Sequence, residues 1–301
     1  MEWNKCAAST IVEQQLFRKA GEIVRKGAES SRFCDGSGNA SLGRREFTRV
    51  SRPVVRTVRK AARIAPPCSH GNHFMHPFTL PKAVLERMTA RRGRPYAFNS
   101  IDPRRTALVV IDMQNAFMAP GAAAEVPAAR GIVPNINRLA AGVRKAGGTV
   151  AWVYMELDSS LPGAGWPVFF GEIFSPDLAG RYIASLAKGS EGQKLWPDLD
   201  TRESDLFITK TRFSGFLHGA SDAAERLNAL GIDTLLITGT LTNVCCESSA
   251  RDAMMRGFRV IMVGDGNATR NDEEHMSTLV SFHQTFGDVR STDETLALLK
   301  A

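Results

Sequence analysis

From residue 101 onward the chain alternates short apolar runs with stretches of helical periodicity, and no other feature restricts its fold as much. Runs at 106–111, 149–154, 205–209, 234–238 and 258–263, with a short one near 287–289, read as strands. Helical stretches fall between and after them, near 132–146, 219–230, 245–256, 271–285 and 292–300. Strands that are apolar on both faces and separated by helices form a parallel sheet covered on both sides. The expectation is an α/β protein with a three-layer α/β/α, Rossmann-like architecture around a mainly parallel six-stranded sheet. Ile132, Ile136, Leu139 and Val143 recur at helical spacing, the mark of a packed face. Gly147-Gly148 suits the end of that helix, and Asp272, Glu273 and Glu274 suit the start of a later one.

Three of these runs end in residues that carry chemistry. Residues 106–112 (TALVVID) end in Asp112, residues 206–210 (LFITK) end in Lys210, and the run at 235–238 leads into GTLTNVCC at 239–246. Open parallel sheets gather their ligands at the C-terminal ends of the strands. An acid, an amine and a thiol are therefore expected at one edge of one sheet. A cysteine alone is usually a small buried hydrophobe. Cys245, however, sits where strand gives way to helix, and unpaired N–H groups with the positive end of the helix dipole favour thiolate there.

These residues resemble the isochorismatase-like cysteine hydrolases. Asp112-Met113-Gln114-Asn115-Ala116-Phe117 is similar to that family's D-x-Q-N-D-F signature, with Ala116 in place of the second Asp; Lys210 stands at the position of the family lysine; and G-x-x-T-N-V-C matches the nucleophile turn. The resemblance spans residues 101–301. The segment from Lys210 to Phe216 (KTRFSGF), followed by TNVC and Glu247-Ser248, most resembles the ureidoacrylate and N-carbamoyl amidohydrolase branch.

The resemblance implies hydrolysis of a C–N bond in a small linear amide or ureido compound. Cys245 would be the nucleophile, Asp112 the proton shuttle and Lys210 the cation beside both. The backbone N–H groups of Leu241 and Cys245 would form the oxyanion hole, with a cis peptide between Thr240 and Leu241. Cys246 would point into packing. A plain Asp112–Lys210 ion pair is the alternative for those two residues. Phe117, Gln114, Arg212, Phe213 and Phe216 are the candidate substrate contacts, and Trp152 is either a pocket wall or core. Arg212 would grip a substrate carboxylate or pair with an acidic side chain to fix its loop. Vinyl ether hydrolysis is an alternative within the fold, although that subgroup generally lacks the cysteine. A catalytically silent interaction module is an alternative of another class. No cofactor is implied, and a homo-oligomer, dimer or tetramer, is.

Related nicotinamidases hold a cation through an Asp and closely spaced His residues after the second strand. Here residues 154–158 read YMELD, without a His, and the expectation is a metal-free site. His70, His73 and His76 form an H-x-x-H-x-x-H run, but Gly71 and Pro77 oppose a helix there, so a solvated tail is expected.

The net charge of +7 divides unevenly. Residues 1–74 hold 14 Lys/Arg against 6 Asp/Glu, leaving 24 against 25 for the remainder, so no basic groove for nucleic acid is indicated in the hydrolase-like part. Residues 1–74 also contain one amphipathic stretch near 9–26 and the Gly/Ser-rich DGSGNA at 35–40, and read as a basic, disordered extension ahead of a hydrolase domain at 75–301. Met75 as the biological start is the alternative. No apolar stretch reaches membrane-spanning length and no secretory h-region follows Met1, so a cytoplasmic protein is expected, in keeping with a thiol nucleophile. The region 157–200 is the least regular. Its aromatics Trp166, Phe169, Phe170 and Phe174 suit a lid, an oligomer contact or ordinary loop packing.

Overall fold

The computed structural model describes residues 75–300. The expectations for residues 1–74, including His70 and His73, lie outside the described residues. Six strands form one sheet: β1 (Thr106–Ile111), β2 (Thr149–Met155), β3 (Leu206–Lys210), β4 (Thr234–Thr240), β5 (Arg259–Ala268) and β6 (Asp288–Arg290). Their order is β3-β2-β1-β4-β5-β6, and every pairing is parallel. The chain thus starts in the middle of the sheet, winds outward to β3, and returns past β1 to build the other half. The point of reversal lies between β1 and β4, where such sheets open a crevice.

Every residue of β1 and β4 is buried, as central strands apolar on both faces must be. Alternation divides the core in two. Ala107, Val109 and Ile111 face one layer with Leu227, Ala250, Leu279 and Phe282. Leu108 and Val110 face the other with Ile136, Leu139 and Val143. The second layer is built from α3 (Val133–Lys145) and α8 (Thr292–Leu298); the first from α5 (Ala223–Ala229), α6 (Glu247–Met255) and α7 (Asp272–Thr285).

The expected helices appear with trimmed ends. The stretch expected at 219–230 is helical only over α5, and that expected at 245–256 begins at Glu247, because residues Thr242–Cys246 form a wider π-helical turn first. Asn271 caps α7 by accepting the Glu274 N–H at 2.8 Å. Three helices were not expected. They are α1 (Lys82–Arg92), the four-residue α2 (Asn115–Met118) behind Asp112, and α4 (Pro176–Leu186) inside the irregular region. α1 carries little amphipathic pattern and buries only Val84 and Met88, so the sequence gives it no periodic signature. Trp152 is core rather than pocket wall; it is fully buried and its Nε1 donates to Asp205 at 2.9 Å.

Candidate active site

β1 ends by turning its next residue sharply. Asp112 has φ of 52°, a left-handed conformation that few non-glycine residues adopt, although Asp tolerates it better than most. Its N–H is fixed by Val153 O at 2.9 Å, and its carboxylate is fully buried. Lys210, the last residue of β3, is buried as completely and donates from Nζ to Asp112 Oδ2 at 2.7 Å and to Arg212 O at 3.2 Å. Asp112 Oδ1 has no hydrogen-bond partner among the described residues.

β4 brings the thiol to the same place. Gly239 has φ of 115°, and a Cβ there would strike the backbone of Ile111, so the close passage of β4 past β1 requires glycine. The Thr240–Leu241 peptide is cis. The turn Thr242–Cys246 follows, with the N–H groups of Val244 and Cys246 both converging on Leu241 O at 3.1 Å. Cys245 is 3% exposed and lines a cavity of about 30 Å³ together with Leu241, Phe117, Phe213, Trp166 and Tyr182. That volume is about one water's share of the liquid. The site is closed. Cys246 packs into the core, its thiol directed at Thr238 O at 3.8 Å.

Burial dominates the electrostatics of this group. It raises the Asp112 carboxyl above its ordinary value, opposed by the Lys210 charge. It would lower Lys210, but the negative charge of Asp112 outweighs it and the ammonium is held above its ordinary range. It pushes the Cys245 thiol well up, Asp112 adds to the rise, and Lys210 with the Leu241 backbone N–H opposes it. In the closed site this works against the thiolate that the helix terminus favours. A helix-terminal dipole works in partly exposed places, whereas here desolvation and a neighbouring carboxylate keep the proton on sulfur.

The remaining candidates divide. Phe117 and Phe213 line the cavity. Gln114 does not reach it, because its amide is spent on backbone: Nε2 donates to Met155 O at 2.9 Å and Gln193 O at 2.8 Å, while Oε1 accepts from Met155 N at 2.8 Å. Phe216 also stands away, buried in the core against Phe258 at 5.7 Å between ring centroids. Arg212 pairs with no acidic side chain among the described residues. It donates to Gly165 O at 2.7 Å and lies over the Trp166 ring at 4.9 Å, fastening the aromatic segment above Cys245.

That segment is one sheet of rings. Trp166 stacks on Phe169 at 4.4 Å, Phe169 meets Phe213 at 5.0 Å and Phe174 at 4.9 Å, and Phe174 leans on Tyr182 at 5.4 Å. Tyr182 on α4 was not anticipated from sequence, since a single Tyr in an irregular stretch has no motif around it. Burial pushes its phenol up to about 12, so it stays a neutral hydroxyl beside the thiol. His76 and His275 were also missed as a pair. His76 is buried rather than part of a solvated tail, and it stacks on His275 behind the cysteine turn. Among the described residues no three His, Cys, Asp or Glu side chains group as metal ligands, and no helix is long and apolar enough to cross a membrane.

A sheet with this order, carrying Asp112, Lys210 and Cys245 at three strand ends, defines an isochorismatase-like fold, and the chain belongs to that family. The isochorismatase domain matches residues 106–294. Ureidoacrylate amidohydrolase RutB of Variovorax paradoxus is 33% identical over 200 residues, covering 62% of this chain and 76% of that protein. A cysteine hydrolase from Pseudomonas syringae pv. phaseolicola superposes with a TM-score of 0.59 at 28% identity, covering 69% of this chain and 98% of that one. N-carbamoylsarcosine amidase from Thermoplasma acidophilum gives a TM-score of 0.51 at 26% identity, over 63% of this chain and 97% of that one.

Proposed function

We propose that this chain is a metal-independent cysteine hydrolase that cleaves a C–N bond of a small linear amide, ureido or N-carbamoyl compound through a thioester-type acyl-enzyme. One observation carries the reading: a buried Asp112–Lys210 pair at 2.7 Å lies against the Cys245 thiol, which itself lines a closed cavity. Amides are poor electrophiles with poor leaving groups, so their hydrolysis needs a strong nucleophile, an acid for nitrogen and donors for the oxyanion. The hydrolase names of the relatives support the same class of bond.

Asp112 takes the thiol proton as Sγ attacks the carbonyl carbon. Its raised proton affinity makes it a stronger base than an exposed carboxylate, and its unpartnered Oδ1 is free to receive the proton. The oxyanion faces the N–H groups of Leu241 and Cys245. Collapse breaks the C–N bond, and the departing nitrogen takes the proton from Asp112. Water then attacks the thioester, gives its proton to Asp112, and the thiol is restored. Lys210 keeps Asp112 ionised between proton transfers and offsets the charge of the transient thiolate. Phe117, Phe213 and Tyr182 wall the acyl group.

The chain acts as a homo-oligomer in this reading, since Val168 and Ile173 on the aromatic segment are 69% and 67% exposed. Light scattering on purified protein tests that point. A thiol nucleophile suits a reducing cytoplasm.

The function is tested by ammonia release from a panel of N-carbamoyl amino acids, ureidoacrylate, biuret, maleamate and nicotinamide, with iodoacetamide labelling of Cys245 run alongside. Turnover of a ureido or carbamoyl member, and protection of Cys245 by that compound, are expected. EDTA is expected to leave the rate unchanged. Loss of activity on chelation, restored by zinc, would overturn the metal-free mechanism.

A further inference from the structure

Thr242 opens the turn that carries Cys245, and it is fully buried. A buried hydroxyl needs a partner, and the one it has comes from another element: Thr242 Oγ1 and His275 Nδ1 share a hydrogen bond at 2.9 Å. His275 lies in the first turn of α7 and is also fully buried. Burial and the neighbouring His76 ring push its pKa down to about 3, so the ring is neutral at any working pH and its bond to Thr242 does not change with protonation.

His76 backs this ring. The two imidazoles stack at 4.8 Å with 25° between planes. His76 is itself pinned, with Nδ1 donating to Asp272 Oδ1 at 2.6 Å and Nε2 set between Thr269 O at 2.9 Å and Thr269 N at 3.1 Å. A second tie runs parallel. Asn243 Nδ2 donates to Glu274 Oε2 at 3.2 Å, and Thr269 Oγ1 donates to Asn243 Oδ1 at 2.6 Å. Both ties join the cysteine turn to the start of α7 and the end of β5. His76 lies thirty residues ahead of the stretch matched by the isochorismatase domain, so a residue preceding that stretch supports the turn.

We infer that His275, seated against His76, is a positioning residue for the nucleophile turn: it fixes the Thr242 hydroxyl and through it the directions of the Leu241 N–H and the Cys245 thiol. The inference rests on the reading of Cys245 as the nucleophile. Oxyanion donors must be aimed before the reaction starts, and a turn of this width has few backbone bonds of its own to hold it. Hydrogen bonds from outside the turn supply that aim.

The test is a set of full-length variants assayed on whichever panel amide the wild type turns over. His275→Leu and Thr242→Val remove the bond with little change of volume, and each is expected to lower kcat about ten- to a hundredfold with KM nearly unchanged, the scale of a misdirected catalytic group. The double variant is expected to fall no further than the worse single, because both remove one interaction. His275→Asn, which keeps a polar atom near the place of Nδ1, and Thr242→Ser are expected to recover most of kcat. His76→Phe keeps a stacked ring and should stay near wild type in kcat, while His76→Ala should follow His275→Leu in direction.

Additive losses in the double variant, or a fall in thermal midpoint with kcat intact, would overturn the inference and make the pair a packing contact only. If no panel amide is hydrolysed by the wild type, the functional reading has failed on its own. The alkylation rate of Cys245 then replaces kcat as the readout. The same ranking of variants would uphold the positioning role, and equal rates would reject it.

Discussion

The two walls around Cys245 are held by different forces. On the side of β4 and α7, Thr242, Asn243, His275, Glu274 and Thr269 are joined by directed hydrogen bonds of 2.6–3.2 Å. On the other side, residues 162–174 present rings packed on rings and on Phe213 and Tyr182, with Arg212 donating to Gly165 O. Hydrogen bonds fix direction, whereas apolar contacts resist separation but tolerate sliding. The first wall is suited to aiming donors at a reacting carbonyl. The second is suited to opening, and the proposed function requires it to open, since a cavity of about 30 Å³ is too small for a ureido compound. Its backbone suits such movement, with Gly163, Ala164 and Gly165 successively left-handed at φ of 54°, 48° and 73°. For Ala164 that conformation costs about 1–2 kcal/mol, which the closed packing of the rings offsets.

If the rigid wall carries the chemistry, its loss is total. Cys245→Ala is expected to abolish amide turnover, while Cys246→Ala, one residue on but turned into the core, keeps most of the rate. An inactive Cys246→Ala beside an active Cys245→Ala in the ammonia assay would exchange their roles and undo the comparison.

Next in size is the ion pair. Lys210→Met is expected to cut kcat a thousandfold or more, and to cost stability as well, because it strands the Asp112 carboxylate without a partner where neither side chain has any exposed surface. Breaking such a pair typically costs about 3–5 kcal/mol, and replacing both members by apolar residues restores much of it. Asp112→Leu combined with Lys210→Met should therefore melt above the single variant in calorimetry and still be inactive. An active double variant would reduce the pair to structure.

The state of the thiol gives a smaller and more diagnostic effect. Burial first, then the Asp112 charge, raise the Cys245 pKa, so at neutral pH sulfur holds its proton and alkylation should speed up about tenfold per pH unit on the alkaline side. Asp112→Asn removes a negative charge that favours the thiol form. Thiolate then appears at lower pH, and iodoacetamide labelling at neutral pH is expected to accelerate while hydrolysis collapses. Slower labelling in that variant would mean that Asp112 is needed to extract the proton even for a simple alkylation.

The strand ends that carry the site were legible in the sequence, and the aromatics at 166–174 stood out as a cluster without a settled role. Helix α4 and the His275–His76 support of the cysteine turn carried no signal, for a physical reason. Strands β1 and β4 bury every residue and β3 buries Ile208 and Lys210, so a polar residue closing each run falls at the C-terminal edge of the sheet; spacing placed Asp112, Lys210 and the turn at 239–246 there, and the family resemblance supplied their roles. Gly239 is dictated by contact with Ile111, which makes the turn recognisable. Helix α4 and the rings at 166–174 meet through side chains distant in sequence and carry no period. Gln114 and Phe216, expected as substrate contacts, do not line the closed cavity for the same reason. Each neighbours a site residue in sequence, but the backbone directs Gln114 at Met155 and Phe216 at Phe258. His76 was misread because Gly71 and Pro77 rule out a helix without ruling out burial.

Arg212 offers the finest test of the contrast. As a latch it binds the Gly165 carbonyl and the Trp166 ring, and as a substrate clamp it would bind a carboxylate instead. Arg212→Lys keeps the charge but loses the forked guanidinium and its flat face. Losing one hydrogen bond and one cation–π contact is worth about 1–2 kcal/mol, or roughly five- to thirtyfold in an equilibrium between closed and open states. If Arg212 is a latch that holds the wall shut, KM falls by up to a similar factor for carboxylate-bearing and neutral amides alike, and Trp166 fluorescence in the free protein shifts toward that of an exposed indole. If it is a clamp, only the acids suffer and the fluorescence of the free protein is unchanged. The geometry favours the latch, because both guanidinium Nη atoms already donate to backbone carbonyls, Nη1 to Thr211 O at 2.8 Å and Nη2 to Gly165 O at 2.7 Å. A substrate carboxylate would have to displace at least one of these bonds, and in doing so would release the wall that closes over it.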